Sequence, residues 1–276
     1  MQKAILIIVD GVGYDTMLSQ CGYLEASVEA GMAHRWKMQA CLPSLSGPLY
    51  ETLHTGLTPL EHGILSNEAM RASSVPNIFQ LLHGQGRVTA AVAHSFFFEL
   101  YCGRTYKMLE DIEIDDESMA IQHGRYYSME AYSRANPVQP ADIDLCAQAN
   151  NLVRKFTPDY MLIHMCAGDT LGHLYTSDSA EYRKQAWHTD NALARIMPEW
   201  LQQGYQVFVT SDHGMNTDGH HGGNEDLTRD VAFYYFGQQK NLPAADEVLD
   251  QCRAAPSILQ ATGMDPSVFP LPGIFS

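Results

Sequence analysis

Short apolar runs separated by longer amphipathic stretches form the main hydrophobic pattern of the chain. The runs at 4–9 and 160–165 are almost wholly apolar, which is typical of strands buried on both faces of a parallel sheet. Together with runs rich in β-branched and aromatic residues, they predict strands near 4–9, 88–93, 160–165, 205–210 and 231–236. The intervening stretches predict helices near 47–54, 76–83, 141–156, 179–196 and 244–253, with Pro198 interrupting the fourth.

This alternation of strands and helices indicates an α/β fold with a mainly parallel central sheet flanked by helices. A chain of 276 residues is long enough to bury a full core, so we expect a single domain over 1–276. The aromatic stretch 95–140 is expected to form a small excursion from this sheet. Its acidic run, 110–117, is interpreted as a solvated loop.

Aspartate and histidine residues follow three of the predicted strands. In open α/β sheets, ligands bind just beyond the carboxyl ends of the strands, so these side chains are candidates for one site. Asp169 and His173 are four residues apart, which places both on one face of a helical turn. Carboxylates mixed with imidazoles suit zinc, with manganese as an alternative. The candidate metal ligands are Asp10, Asp169, His173, Asp212, His213 and one of the pair His220 and His221.

Ser46 lies at the predicted start of the helix at 47–54, directly before Gly47 and Pro48. Serine is a favoured N-cap, and proline is favoured in the first helical turn. Backbone N–H groups at such a position can hold a phosphoryl oxygen, and coordination to a metal lowers the pKa of a hydroxyl. We therefore predict Ser46 as a nucleophile. Ser44 is a second candidate, and an ordinary capped helix is the alternative interpretation.

Together these motifs resemble those of the nucleotide pyrophosphatase/phosphodiesterase group of the alkaline phosphatase superfamily. The resemblance covers residues 3–68 and 158–236 approximately. The nucleophile segment of that family matches Ser46, Pro48, Thr55, Gly56, Pro59, His62, Gly63, Ile64 and Asn67. Its two later motifs match Asp169, Gly172, His173 and the segment 211–215.

The resemblance implies an alkaline phosphatase-like fold and two divalent metal ions, zinc before manganese, on either side of Ser46. One ion would bind Asp169, His173 and His221, and the other Asp10, Asp212 and His213. His221 is preferred because a glycine follows it, as in the family, and His220 stays an alternative. Asn67 would contact the phosphate of the substrate, and the stretch 95–140 would lie over the metal site.

The activity that the resemblance implies is hydrolysis of phosphodiester or pyrophosphate bonds in small molecules, including nucleotide-type substrates. It would proceed through a phosphoseryl intermediate. The alternatives are a phosphonate or phosphomonoester hydrolase and a non-catalytic metal-binding homologue. Retention of Ser46 and Asn67 argues against the last alternative, because metal storage needs neither residue.

Two related families fit the sequence less well. The segment 41–44 resembles the sulfatase signature, but Leu45 stands where that signature has arginine, and Ser46 rather than Cys41 has the sulfatase spacing to Thr55. Cofactor-independent phosphoglycerate mutases carry a large inserted domain. The longest gap between ligand segments here, from Asn67 to Asp169, is about 100 residues, which is too short for that insertion.

Composition narrows the possible partners. The formal charge of −15 argues against binding of a nucleic acid polymer, whereas a small phosphoester is compatible with it. No apolar run approaches the roughly 20 residues of a membrane span, and the first apolar segment is interpreted as a strand rather than a signal peptide. The six cysteines contain no CxxC pair, which favours a reducing cytoplasm. The oligomeric state is left open.

Overall fold

A single mixed sheet forms the centre of the computed structural model, which describes residues 2–129 and 139–275. Nine strands lie within these residues: β1 (Lys3–Val9), β2 (His34–Gln39), β3 (Thr89–His94), β4 (Glu113–Asp115), β5 (His123–Tyr127), β6 (Tyr160–Met165), β7 (Tyr205–Thr210), β8 (Asp230–Phe236) and β9 (Val248–Asp250). Their order across the sheet is β4-β5-β3-β6-β1-β7-β8-β2-β9.

Helices cover both faces of the sheet. In the described part of the chain these are α1 (Tyr14–Gln20), α2 (Gly22–Glu29), α3 (Ser46–Thr55), α4 (Pro59–His62), α5 (Ile78–His83), α6 (Ser95–Tyr101), α7 (Met108–Asp111), α8 (Asp142–Phe156), α9 (Ala167–Tyr175), α10 (Ala180–Gln202), α11 (Asp226–Arg229) and α12 (Ala254–Ala261). Short 3-10 turns occupy Asn67–Ala69 and Gln251–Arg253. No helix among the described residues is both long and apolar enough to cross a bilayer.

The five strands from β5 to β7 in the sheet order run parallel, and β1 lies near their centre. Alternate residues of β1 enter two separate cores: Ala4, Leu6 and Ile8 face one side of the sheet, and Ile5, Ile7 and Val9 face the other. The first side packs against α3, α5, α6 and α12, and the second against α1, α2, α8 and α10. The mainly parallel α/β sheet and its five predicted strands are thereby confirmed.

Two helix predictions are wrong. Residues 244–253 contain β9 and a 3-10 turn instead of a helix, because β9 pairs in parallel with the edge strand β2 and the Asp250 side chain accepts a hydrogen bond from Cys252 N. Pro198 does not interrupt α10, which continues to Gln202. Met197 and Trp200, which lie close to Pro198 in the helix, are fully buried. Burial of each side chain stabilises the fold by about 2–3 kcal/mol, which offsets the loss of the hydrogen bond that proline cannot donate.

The stretch 95–140 is only partly an excursion. In its described residues, β4 and β5 extend the central sheet beyond β3. The acidic run 110–117 is not simply a solvated loop, because Asp111 is buried and accepts two hydrogen bonds of 2.6 Å from Arg104. Residues 130–138 lie outside the described residues, so for them the expected position over the metal site stays a prediction.

Candidate active site and metal centre

The carboxyl ends of three neighbouring strands bring the predicted ligands together. Because β6, β1 and β7 are adjacent and parallel, their ends lie at one edge of the sheet. Asp10 directly follows β1, Asp212 follows β7 after one residue, and Asp169 lies in the first turn of α9, which follows β6. Gly11 allows the chain after β1 to pass close to the start of α9. Its φ is +72°, and a Cβ there would lie 2.6 Å from the Cα of Asp169. No other residue type fits this position without displacing a predicted ligand.

The first cluster of ligand atoms consists of Asp169, His173 and His221. Oδ1 of Asp169 lies 3.4 Å from Nε2 of each histidine, and the two Nε2 atoms are 3.1 Å apart. His213 also belongs beside this cluster, because its ligand atom lies within 4.8 Å of those of Asp169 and His221.

The second cluster consists of Asp10, Asp212 and His213, which are all buried. Nε2 of His213 lies 3.4 Å from Oδ1 of Asp10 and 3.3 Å from Oδ2 of Asp212. The hydroxyl of Ser46 is 3.0 Å from the same Nε2 atom. The predicted nucleophile is therefore in direct contact with the predicted ligands, and His213 lies where the two clusters meet.

These distances fit divalent metal ions. Ligands about 2.0–2.1 Å from a tetrahedral zinc lie about 3.3 Å from one another, which matches the separations of 3.3–3.4 Å between the carboxylate oxygens and the imidazole nitrogens. The carboxylate oxygens in question, Oδ1 of Asp10, Oδ1 of Asp169 and Oδ2 of Asp212, are buried without a hydrogen-bond partner. Buried polar atoms normally have partners, so cations are the expected ones here.

The tautomer of each histidine is set for metal binding. Nδ1 of His173 donates to the carbonyl of Gly219 at 2.8 Å, and Nδ1 of His221 donates to that of Ser44 at 2.9 Å. Nδ1 of His213 donates to the carbonyl of Gly214 at 2.9 Å. With the hydrogen on Nδ1, the lone pair of Nε2 points into the cluster, as in metal-binding histidines generally.

The electrostatics of the protein part alone are unfavourable. Burial, and next the charge of Asp169, raise the pKa of Asp10 to about 7. Burial, followed by the charges of Asp10 and Asp169, raises the pKa of Asp212 well above its usual value. Burial lowers the pKa of His213 far below that of a free imidazole. Bound cations would relieve the repulsion between these carboxylates.

Ser46 is the first residue of α3, and Leu45 rather than Ser46 is the N-cap. The N–H of the next residue, Gly47, donates to Oδ1 of Asn67 at 2.8 Å, so it is not available for a phosphoryl oxygen as the sequence predicted. This bond orients the Asn67 amide so that its NH2 group can face a substrate. A Cβ at position 47 would lie 2.5 Å from the sulfur of Met70 and 3.1 Å from Oδ1 of Asn67, so a larger residue here would displace the Met70 side chain and crowd this amide.

The residues that hold Asp10 in place were not predicted from the sequence. Tyr50 donates a hydrogen bond to Oδ2 of Asp10, and Nε2 of His164 donates to the same oxygen at 3.0 Å. The Tyr127 hydroxyl donates in turn to Nδ1 of His164 at 2.7 Å. The signal for His164 was present in the sequence, as a lone imidazole near the carboxyl end of an apolar strand.

The side chains of the alternative candidates His220, Ser44 and Cys41 do not belong to the two ligand clusters around Ser46. His220 is exposed, whereas His221 contacts both Asp169 and His173. The Ser44 hydroxyl donates to the carbonyl of Gly223 and accepts from the N–H of Gly222, both at 3.0 Å, so Ser44 anchors the segment that carries His221. Cys41 contacts Cys252 and does not line the pocket around Ser46.

Several motif residues of the nucleophile segment have a structural role instead. His62 is buried and donates through Nε2 to the hydroxyl of Thr52 at 3.2 Å, while its Nδ1 accepts from Ile64 N. Gly56 and Gly63 adopt left-handed conformations that end α3 and α4. These contacts join α3 to the chain that leads to Asn67.

A pocket of about 230 Å³ opens in front of Ser46. Among the described residues that line it there is no lysine and no arginine; they are Asp10, Ser46, Tyr50, Asn67, His94, Phe96, Met129, His164, Cys166, Asp169, Thr170 and His173. Arg71, the first arginine after Ser46 in the sequence, donates instead to the carbonyls of His62 and Gly63. Anionic groups of a substrate would therefore depend on cations held by the site and on Asn67.

Comparison with known proteins identifies related sequences. The model of the type I phosphodiesterase / nucleotide pyrophosphatase family matches residues 4–229. A curated relative, the catalytic subunit of GPI ethanolamine phosphate transferase 3 from Mus musculus, is 20% identical over 293 residues, covering 95% of this chain and 24% of that protein. The human protein of the same name is 26% identical over 110 residues. The chain thus spans at most about a quarter of the length of these relatives.

Solved structures share the fold. Murine ectonucleotide pyrophosphatase / phosphodiesterase 5, in an inactive form in complex with AMP, has a TM-score of 0.69 and 13% identity, with 100% of this chain and 98% of that chain covered. The C-terminal periplasmic domain of EcEptC from Escherichia coli, in complex with zinc, has a TM-score of 0.67 and 12% identity, with 100% and 86% covered. At these identities the likeness shows an alkaline phosphatase-superfamily fold.

Proposed function

This chain belongs to the type I phosphodiesterase / nucleotide pyrophosphatase family, and on this premise we propose that it is a hydrolase of the alkaline phosphatase superfamily and propose its substrate class and mechanism. The proposed reaction is the metal-dependent hydrolysis of phosphodiester or pyrophosphate bonds in small molecules, including nucleotide-type substrates. A phosphoseryl intermediate forms on Ser46. The observation that carries the proposal is the contact of 3.0 Å between Oγ of Ser46 and Nε2 of His213, where the two ligand clusters meet.

Two divalent ions, zinc before manganese, would be held by the two clusters, one by Asp169, His173 and His221 and the other by Asp10, Asp212 and His213. When bound, such ions lower the pKa of a hydroxyl and stabilise the negative charge that develops on phosphoryl oxygens. The fit rests on the carboxylate oxygens that lack hydrogen-bond partners and on the tetrahedral separations described above.

The residues of the chain carry the covalent steps. Oγ of Ser46 loses its proton and attacks phosphorus, the new Oγ–P bond forms, and the bond from phosphorus to the leaving oxygen breaks; through solvent, the proton goes to the leaving oxygen. Water then attacks the same phosphorus and the Oγ–P bond breaks; the hydroxyl of the water stays on phosphorus, and its other proton returns to Oγ of Ser46. Asn67, oriented by the N–H of Gly47, donates to a non-bridging oxygen throughout.

The lining of the pocket supports a diester substrate. A phosphomonoester carries about one more negative charge than a diester at neutral pH. The described lining supplies no lysine or arginine for that charge, only the neutral donor Asn67. A neutral amide also costs less than a buried cation when it faces an uncharged ester group. We therefore expect higher kcat/KM for bis(nitrophenyl) phosphate than for the nitrophenyl monoester.

The decisive experiment compares Ser46→Ala with Ser66→Ala, a nearby serine that does not line the pocket. Ser46→Ala should lower kcat for the diester by about 10³-fold or more, whereas Ser66→Ala should retain it. Rapid acid quench of the wild-type enzyme during turnover of the diester, followed by mass spectrometry, should detect a nitrophenyl phosphoryl group on Ser46. Chelation of divalent ions should abolish turnover in both the wild type and Ser66→Ala.

Three results would contradict the proposal. A Ser46→Ala variant that binds metal and keeps wild-type turnover would exclude the phosphoseryl route. A clear monoester preference in kcat/KM would contradict the substrate class but leave the nucleophile in place. Turnover that is unaffected by thorough chelation would contradict the metal assignment.

A further inference from the structure

A group of three potential metal ligands lies outside the active site. It consists of Cys41, Cys252 and Asp250, whose ligand atoms all lie within 4.8 Å of one another. The two sulfur atoms are 3.6 Å apart although the cysteines are separated by 211 positions in the sequence. Both cysteines are free thiols.

The geometry of this group matches a tetrahedral thiolate site. With zinc–sulfur bonds of about 2.3 Å, two thiolates on one tetrahedral ion lie about 3.8 Å apart, close to the separation seen here. The carboxylate of Asp250 lies beside Cys252 and accepts a hydrogen bond of 2.8 Å from its backbone N–H. That bond holds the Asp250 carboxylate next to the sulfur of Cys252, so both groups could bind the same cation.

The surroundings of the sulfur atoms allow a cation to replace the thiol protons. Cys252 is buried in the 3-10 turn Gln251–Arg253, which leads directly into α12. The hydrogen bond to Cys41, burial and the charge of Asp250 raise the pKa of the Cys252 thiol, so this sulfur becomes a thiolate when a bound cation takes the place of its proton. Cys41 is partly exposed and Asp250 is exposed, so a cation can enter from solvent and keep water as a fourth ligand.

We propose that Cys41, Cys252 and Asp250 form a third metal site, separate from the catalytic pair, which binds one zinc ion or a similar thiophilic divalent cation. The site is independent of the proposed reaction, since none of its three residues lines the pocket in front of Ser46.

The position of the site gives it a structural role. Cys41 begins the segment that leads to Ser46, and Cys252 lies just before α12, so one ion would join these two parts of the chain. Gln251 already connects them: its side chain accepts from Cys41 N at 2.9 Å and donates to the carbonyl of Asp212 at 2.7 Å. A metal here would therefore hold the start of the nucleophile segment close to a predicted ligand of the active site.

The test is a cadmium titration of the reduced, metal-free protein, followed by the ultraviolet charge-transfer absorption of thiolate–cadmium bonds. We expect a band that saturates at about one thiolate-bound ion per chain. Cys41→Ser and Cys252→Ser should each lose the band. Two control variants should keep it: Cys102→Ser, a partly buried thiol elsewhere, and Cys166→Ser, which removes the thiol that lines the active-site pocket.

A second measurement uses the wild-type protein only and so does not depend on the folding of a variant. Cadmium should protect Cys41 and Cys252 from alkylation, as read by peptide mass spectrometry, while Cys102 reacts as before. A band that survives both Cys41→Ser and Cys252→Ser, or that disappears in Cys166→Ser, would overturn the proposal. So would the absence of protection, or a disulfide between Cys41 and Cys252 in protein trapped directly from cells.

Discussion

Tyr50→Phe tests whether contacts behind the predicted ligands control metal binding. The substitution removes one hydroxyl, which donates to Oδ2 of Asp10, and leaves the ring stacked on Phe97 at a centroid distance of 4.5 Å. His164 remains as the second donor to that oxygen. The carboxylate would then be held by one hydrogen bond instead of two, and Oδ1 would be less firmly directed at the cluster.

The expected loss can be derived in two ways that agree. A hydrogen bond to a charged acceptor contributes about 1.5–3 kcal/mol. Removal of a partner that orients a metal ligand typically lowers metal affinity by about 10- to 100-fold, which corresponds to about 1.4–2.7 kcal/mol. We therefore expect a 10- to 100-fold weaker affinity for the ion held by Asp10, Asp212 and His213.

The assay is competition for zinc between the protein and a chromogenic chelator. Every protein compared carries Cys41→Ser, which removes the proposed third site, so the competition resolves the two affinities of the active site. Tyr160→Phe is the matched control, because Tyr160 is also fully buried and its hydroxyl also bonds a buried side chain, Nε2 of His54 at 3.0 Å. Both variants should lose similar stability, but only Tyr50→Phe should weaken one of the two zinc affinities. Equal zinc binding by the two variants, or equal weakening at both sites, would refute the reasoning.

Three further predictions concern the approach of strand ends, substrate binding and pH. Gly11→Ala should abolish metal binding, whereas Gly31→Ala, at a similar φ of +69° with open space around it, should cost only about 1 kcal/mol of unfolding free energy in urea. Asn67→Ala should lower kcat/KM by about 100-fold for the diester and the monoester alike, and an unchanged value would remove Asn67 from the mechanism. Burial raises the pKa of Asp142 from 3.8 to about 6, so its protonated form stabilises the fold at low pH and this contribution is lost as pH rises through about 6. Asp142→Asn should therefore reduce the fall in unfolding free energy between pH 4 and 6.5 by about 2 kcal/mol, and an identical pH slope in wild type and variant would contradict it.

Much of the fold follows from local sequence. The apolar run of β1 has no polar alternation, and the structure indeed buries its residues on both faces of the sheet. A strand that ends in aspartate places that aspartate at the carboxyl edge, so Asp10 and Asp212 could be assigned to one site before any distance was known. The spacing of Asp169 and His173 was likewise sufficient to place them on one turn of α9.

Other features were decided by tertiary packing. The helix predicted at 244–253 became a strand because β2 offers an open edge there, and α10 continued through Pro198 because its neighbours are buried. The contacts of Tyr50 and His164 with Asp10 join segments 40 and 154 positions apart. The spacing of hydrophobic residues and the order of residues along the chain are local properties, and they can be read from the sequence directly. Distances between remote side chains depend on the packing of the whole sheet and its helices, so only the tertiary structure fixes which donors meet which ligand.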